Sequence, residues 1–220
     1  SMSEADLLFA PGQDYSYSSP GIDLLGAVIA EVTGQSFEEY MTEQIFQPLG
    51  MADSTFLLPS ADPTLLTAPH MYDEKGNAVV LDFYPYDRRN AASGGLYTSP
   101  ADLSRMALMH LNRGELDGQQ LLPASAYDEM WTPLSETGWM EYFGPTWDDY
   151  GLGWIMGEDG GHMVYNHTGA NSGYQAHILV VPDADLAVVT FTNVFDRDEG
   201  SFHAYALGDQ IMKMLLGMAE

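Results

Sequence analysis

Two stretches of this 220-residue chain hold side chains whose types and spacing could do chemistry. The first is Tyr17-Ser18-Ser19, which runs straight into an apolar helical segment. The second is His167-Thr168-Gly169, at the end of one extended stretch and before a glycine-containing turn. A phenol beside a nucleophile can move a proton, provided a cation lowers its pKa from ~10. A small residue in an exposed strand lets a substrate approach the backbone closely. A backbone N–H there, at Ala170 for instance, could stabilise an oxyanion. Each stretch also has a plain reading: a tyrosine ahead of a helix can be a staple or cap, and His-Thr-Gly can be a turn.

Other chemistries find no footing. There is no G-x-S-x-G elbow, no H-E-x-x-H, no phosphate-binding loop and no dinucleotide fingerprint. The six histidines show no spacing to carboxylates that matches a metal site. With no cysteine, disulfides, thiolate catalysis and cysteine-type zinc sites are excluded. Seven Lys and Arg against 32 Asp and Glu give a net charge of −25, a field that repels nucleic acid and anionic membranes. That balance suits either a salt-adapted protein or simply a soluble acidic one. No apolar run approaches a membrane span and no signal peptide is visible.

The elements that must position these residues can be read from periodicity. Gly21 to Val32 has apolar residues at Ile22, Leu25, Ile29 and Val32 and ends on Gly34, which predicts a helix. Ser36 and Glu39 form a capping box for a second helix carrying Phe37, Tyr40, Met41 and Ile45 on one face. Residues 58–93 read as loops, with a short hairpin turning at Gly76-Asn77. Ser99, Pro100 and Asp102 start a helix with Leu103, Met106, Ala107 and Leu111 as its buried stripe. A short helix comes next, from Pro123 to Met130, and the aromatic run 131–150 reads as an ordered loop.

From residue 150 the pattern becomes short, β-branched and aromatic, which predicts an antiparallel meander whose last two strands are joined at Pro182–Asp185. A final helix from about Ser201 places Leu207, Ile211, Met214, Leu215 and Met218 on one side, expected to pack onto the sheet. The class is α+β: one domain over 1–220, mainly helical over 21–130, with sheet and covering helix over 150–220.

In series, the stretches from "LFAPGQDYSYSSPG" through "QPLGMADSTF", "SGGLYTSPADLSRM", "YGLGW" and "NHTGANSGYQAHILVVPDADLAVVTFTN" resemble the serine β-lactamase-like family of class C β-lactamases, D-alanyl-D-alanine carboxypeptidases and esterases. The resemblance runs from about Leu7 to the C-terminus. It implies a partial β-lactamase/transpeptidase-like fold and acyl-enzyme hydrolysis of small esters, D-Ala-D-Ala peptides or β-lactams. Tyr17 matches the tyrosine of the family's Tyr-x-Asn, with a role in proton transfer, and Ser19 stands where asparagine is usual. His167-Thr168-Gly169 matches the histidine version of Lys-Thr-Gly, so that His167, Thr168 and Gly169 orient substrate and Ala170 gives an oxyanion N–H. No metal or organic cofactor is implied.

The family's Ser-x-x-Lys is absent. Lys75 and Lys213 are the two lysines, with Tyr72 and Gln210 three residues before them. Ser1 ahead of Met2 reads as a residue left by cloning, and the residues after Met2 read as mid-protein sequence. The expectation is therefore a missing N-terminal portion, with three accounts open: a fragment of a serine hydrolase, one half of a split enzyme, or a binding module without turnover. In each case "DLAVVTFTNV" should form a bare sheet edge, inviting self-association or the missing segment.

Overall fold

A computed structural model describes residues 8–136, 149–195 and 203–218. Helix α1 (Ser19–Thr33) opens where Ser18, in extended backbone, accepts from the Gly21 N–H at 3.1 Å, and closes on left-handed Gly34. Ser18 is thus the cap, and the helix begins two residues earlier than the sequence pattern suggests. The capping box of α2 (Phe37–Met41) is formed in both directions by Ser36 and Glu39. α2 continues through a π turn over Thr42–Phe46 into α3 (Gln47–Leu49), where Pro48 has no N–H to donate to the turn before it.

The hairpin of β1 (His70–Tyr72) and β2 (Ala78–Val80) turns where predicted, with the Asp73 carboxylate accepting from the Lys75 and Asn77 N–H groups. The loop reading of 58–93 misses the short helix α4 (Ala91–Gly94), which four residues of mixed composition do not announce. α5 (Pro100–Leu111) has Ser99 as cap and Pro100 in its first turn, as expected. Asp102 is not a solvated first-turn acid. It is buried and accepts from the Asp53 N–H and the Ser54 hydroxyl, each at 2.8 Å. A two-stranded turn, β3 (Glu115–Leu116) and β4 (Gln119–Gln120), leads to the short helix α6 (Ala126–Met130).

The main sheet has six strands in the order β10-β9-β8-β7-β6-β5, every pair antiparallel. They are β5 (Ser135–Glu136), β6 (Asp149–Tyr150), β7 (Ile155–Asp159), β8 (His162–Asn171), β9 (Tyr174–Val181) and β10 (Leu186–Thr192). The loop expected over 131–150 therefore contributes two short strands, while residues 137–148 of that stretch lie outside the described residues. The β9–β10 link is a single 3-10 turn at Pro182–Ala184 with Asp185 left-handed. β11 (Val194–Phe195) leaves this sheet and pairs in parallel with β1.

The last helix, α7 (His203–Leu215), covers the sheet as expected, but only part of the expected face meets it: Ile211 packs against the sheet-side core, while other members stay exposed. Its buried residues are Ala204, Gly208 and Met212, whereas Leu207, Met214 and Leu215 are 45%, 70% and 58% exposed. Gly208 is the reason: a Cβ there would lie 2.5 Å from His177 Nδ1, so the smallest residue sets the contact line. Ser201, the expected start, lies outside the described residues.

Three core clusters result. Phe46, Leu49, Met51, Phe56, Ala91, Met109 and Leu116 fill the helical side. Ile155, Val164, Leu179, Val181, Val188 and Met212 fill the space between sheet and α7. Between sheet and helices, Tyr127, Trp131, Trp154, Met156 and Val180 join the two sides, and α5 packs against β9 and β10. α1 is the exception. It packs through Gly26, whose Cβ would meet Ala92 Cβ at 2.9 Å, and leaves Ile22, Leu25 and Val32 exposed. An apolar helix face and the β10 sheet edge are thus both uncovered among the described residues.

Candidate active site

β8 changes character half-way along. Its ladder to β7 ends at Ile155↔Asn166, while its ladder to β9 continues from Tyr165 to Asn171. From His167 onward the strand therefore pairs on one side only among the described residues. Alternate residues of such a stretch direct their N–H and C=O to the open side. The glycines of Tyr150-Gly151-Leu152-Gly153-Trp154 end β7 there. A Cβ on Gly151 would lie 2.3 Å from the Met130 carbonyl oxygen, and Gly153 takes a φ of 79°. The chain bends back into β6, which brings Tyr150 within reach of His167.

His167 is held at both ring nitrogens. Nδ1 lies 2.7 Å from the Thr168 carbonyl, which can only accept, so Nδ1 carries the proton. Nε2 is then an acceptor, and the Tyr150 hydroxyl donates to it over a long 3.3 Å. Burial lowers the His167 pKa below its ordinary value, against a smaller opposing effect of the Thr168 carbonyl. Tyr15 packs beside this pair: its ring centroid is 5.0 Å from that of Tyr150, with the two rings tilted at 46°. Burial is the main cause that pushes both phenols up; at Tyr15 the neighbouring phenols add to the rise, while at Tyr150 Tyr17 adds to it and Tyr15 opposes it.

Tyr17 joins this group. Its ring centroid is 6.4 Å from that of His167, and it is 44% exposed. The two residues singled out from 150 positions apart in sequence are therefore neighbours. Ser19 occupies the first turn of α1, partly buried, with no side-chain hydrogen bond among the described residues. Thr168 alternates to the other face of β8, directly across the ladder from His177, so it is not beside Tyr17. Gly169 and Ala170 lie on the half-open stretch of β8, where by alternation only one of the two directs its N–H to the unpaired side. A Cβ on Gly169 would meet only Ala176, at 4.0 Å, so nothing in the local packing demands glycine there.

Where β8 ends, a cleft of about 220 Å³ opens between Asn171 and the segment Pro85, Tyr86, Asp87, Asn90, Gly94 and Gly95. Its carboxylate, Asp87, is held at about 2 by the Arg89 guanidinium. A second hollow, of about 590 Å³, lies between the segment Gly12–Tyr15 and Leu134–Glu136. None of the described ion pairs reaches the tyrosines: Arg88 binds Glu38, Arg105 binds Asp117, Arg113 binds Asp128, and Lys213 lies between Asp159 and Asp209. The sequence reading missed Tyr15 and Tyr150. A phenol in an aromatic-rich run carries no local signal that it will face a histidine two strands later in the chain.

A family model described as Beta-lactamase matches residues 1–211. The chain belongs to the beta-lactamase family. Among curated relatives of this beta-lactamase family member, Penicillin-binding protein 4 of Amycolatopsis lactamdurans is 28% identical over 187 residues, covering 83% of this chain and 48% of the relative. The D-alanyl-D-alanine-carboxypeptidase/endopeptidase AmpH of Escherichia coli is 29% identical over 195 residues, covering 84% and 46%. Among solved structures, the octameric penicillin-binding protein homologue from Pyrococcus abyssi superposes with a TM-score of 0.79 at 27% identity, over 96% of this chain and 44% of that one. A D-stereospecific amidohydrolase from Streptomyces sp. shares the fold, with a TM-score of 0.74. The fold is thus a partial β-lactamase/transpeptidase-like fold, and the chain is related to the serine hydrolases of this family. It spans about half the length of the curated relatives it matches.

Proposed function

We propose that this chain is the C-terminal part of a serine hydrolase that works through an acyl-enzyme on small esters, D-Ala-D-Ala peptides or β-lactams. On this reading Tyr17 assists proton transfer, His167, Gly169 and Ser19 orient the substrate, and the Ala170 N–H stabilises the oxyanion, while Thr168, on the other face of β8, takes no part by its side chain. The observation that carries it is the meeting of Tyr17 and His167, with ring centroids 6.4 Å apart, at the half-open stretch of β8. A purely structural acidic domain has no reason to gather them.

The same reading makes the chain inactive alone. Neither Lys75 nor Lys213 has serine three residues before it, and Lys213 is engaged by Asp159 and Asp209. The Ser-x-x-Lys must then come from a segment outside these 220 residues, whether from the same gene or from a second polypeptide. The bare β10 edge and the apolar outer faces of α1 and α7 are where that segment, or a second copy, would seat.

The test is complementation. The chain is refolded with a polypeptide carrying a Ser-x-x-Lys helix from a family relative, and hydrolysis of a p-nitrophenyl ester is measured. Turnover that needs both pieces and drops with Tyr17→Phe supports the reading. Tight ligand binding in the cleft with no turnover under any pairing would favour a binding module instead.

A further inference from the structure

Behind the half-open stretch of β8 lies a polar seam roofed by α7. The β8 ladder to β7 ends at Asn166, which is fully buried. Its side-chain amide donates to the Ile155 carbonyl at 3.3 Å, and its Oδ1 lies 3.4 Å from His177 Nε2 on β9. His177, 1% exposed, stands across the ladders from Thr168 on one side and Thr190 on the other, so its ring shares their face of the sheet. α7 rests on this row. Gly208 lies against the His177 ring, Tyr205 packs beside it with ring centroids 5.3 Å apart, and Ala204 is held through its N–H by Gln175 and through its carbonyl by Thr190. We propose that α7 is an acid-released latch: docked over a neutral His177 it holds the fork of β8 from behind, and it lets go as the imidazole takes a second proton.

The surroundings of the ring favour its neutral form while the helix is down. Among the described residues, the groups facing it are Asn166 and Thr168 from β8, Thr190 from β10, and Tyr205 and Gly208 from α7, all neutral at pH ~7. Asp209, the carboxylate next to Gly208, is bound with Asp159 by Lys213, at 2.9 and 3.5 Å. Burial is the main cause that disfavours a charged ring, and His167 on the opposite face of the sheet is the second. Once α7 lifts, water reaches the imidazole and the burial penalty goes. The hold is also light enough to release. The buried residues of this 13-residue helix are Ala204, Gly208 and Met212, two of them with almost no side chain, while Leu207, Met214 and Leu215 face outward. A unit with so little apolar burial opens at a lower free energy than the sheet beneath it.

The test is hydrogen exchange on the intact chain, read as protection factors so that the intrinsic pH dependence cancels. The amides of α7 should be less protected than those of β9 at every pH. Between pH ~7.5 and ~5.5 their protection should fall about tenfold, the change expected when the open-state imidazole titrates near ~6.5 and the docked one does not. His177→Gln should flatten that fall, while His203→Gln, in the exposed first turn of α7, should leave it in place. Where His177→Gln fails to dock the helix, the ring resonances of the wild type decide: at the pH where His177 titrates, α7 must already exchange freely. A protonated His177 under a still protected helix would overturn the proposal. So would α7 exchanging in step with β9, or an unchanged fall in His177→Gln. No turnover is measured, so the latch and the hydrolase reading fail separately.

Discussion

Gly208 on α7 and His177 on β9 are in contact so close that one added carbon would lie 2.5 Å from the imidazole Nδ1. The helix can lie this low because position 208 has no side chain. Its first residues then reach the sheet: Thr190 donates to the Ala204 carbonyl at 2.5 Å, and the Gln175 side chain accepts from the Ala204 N–H at 3.1 Å. Gly208→Ala should therefore lift α7 from the sheet and cost ~1–3 kcal/mol, as overpacked sites do. Leu207→Ala, one position away on the exposed face, should change stability by less than ~0.5 kcal/mol. Urea denaturation of the two variants checks this, and equal effects would contradict the packing described.

Asp102 ties α5 to the loop that precedes the long connection. It accepts from the Asp53 N–H and from Ser54, and Ser54 also meets Thr98 at 2.7 Å. Asp102→Ala removes the charged acceptor of the Asp53 N–H and of the buried Ser54 hydroxyl, which keeps only Thr98. Hydrogen bonds to charged groups carry ~1.5–3 kcal/mol, so a loss in that range is expected. Ser99→Ala, which removes only the helix cap, should cost ~1 kcal/mol. Thermal melts of both variants should preserve that order.

Stability should fall as pH drops below neutrality, and His177 should be a main cause. Burial first, and the nearby His167 second, hold its pKa at about 3 in the folded chain. Burial holds His110 at about 4. Unfolded histidines titrate near ~6.5. Between these values the unfolded chain binds more protons, so the contribution is whole above pH ~6.5 and is lost as pH falls toward the folded values. The −25 charge acts the other way, because protonating carboxylates relieves repulsion. The clean readout is a difference: from pH ~6.5 to ~4 the stability of His177→Gln should fall less steeply than that of the wild type. Parallel slopes would remove His177 from the account.

Added sodium chloride should raise the melting temperature. With 32 acidic against 7 basic residues the folded chain repels itself, and the Debye length shrinks from ~10 Å at 0.1 M to ~3 Å at 1 M. A melt series in salt measures it, and a flat series would mean that repulsion is not felt in the fold.

The uncovered face of α1 should be replaceable without loss of stability. Leu25 is 57% and Val32 79% exposed. Leu25→Glu with Val32→Glu should leave the melt within ~0.5 kcal/mol of wild type. Sedimentation velocity should show less self-association. Destabilisation would mean that the face is covered within the chain.

Much of the frame was legible in the sequence because it is local. Ser36 with Glu39, Ser99 with Pro100, and Gly34 carry their helix ends in their own chemistry, and the structure has all three. The meander was legible because alternation and turn residues are local too. What could not be read is set by partners distant in the chain. The apolar stripe of α7 read by periodicity is only partly the buried one: Ile211 meets the core, but Gly208 against His177 shifts the contact line and leaves Leu207, Met214 and Leu215 exposed. The stripe on α1 predicted a buried helix, yet Gly26 against Ala92 makes its contact and the stripe stays bare. Tyr17 and His167 stood out by their settings, while Tyr15 and Tyr150 did not. A two-residue strand after a stretch of aromatic residues gives no sign of which ring its tyrosine will face.

The central claim is that these 220 residues hold the tyrosine and histidine side of a hydrolase site without its nucleophile. The most direct test treats the purified 24.2 kDa chain with a fluorophosphonate serine probe and reads intact mass. The account predicts an unchanged mass for this chain, with labelling only of a partner polypeptide that carries Ser-x-x-Lys. A single adduct on the 24.2 kDa chain itself would contradict it, and peptide mapping would then identify the serine that the site activates.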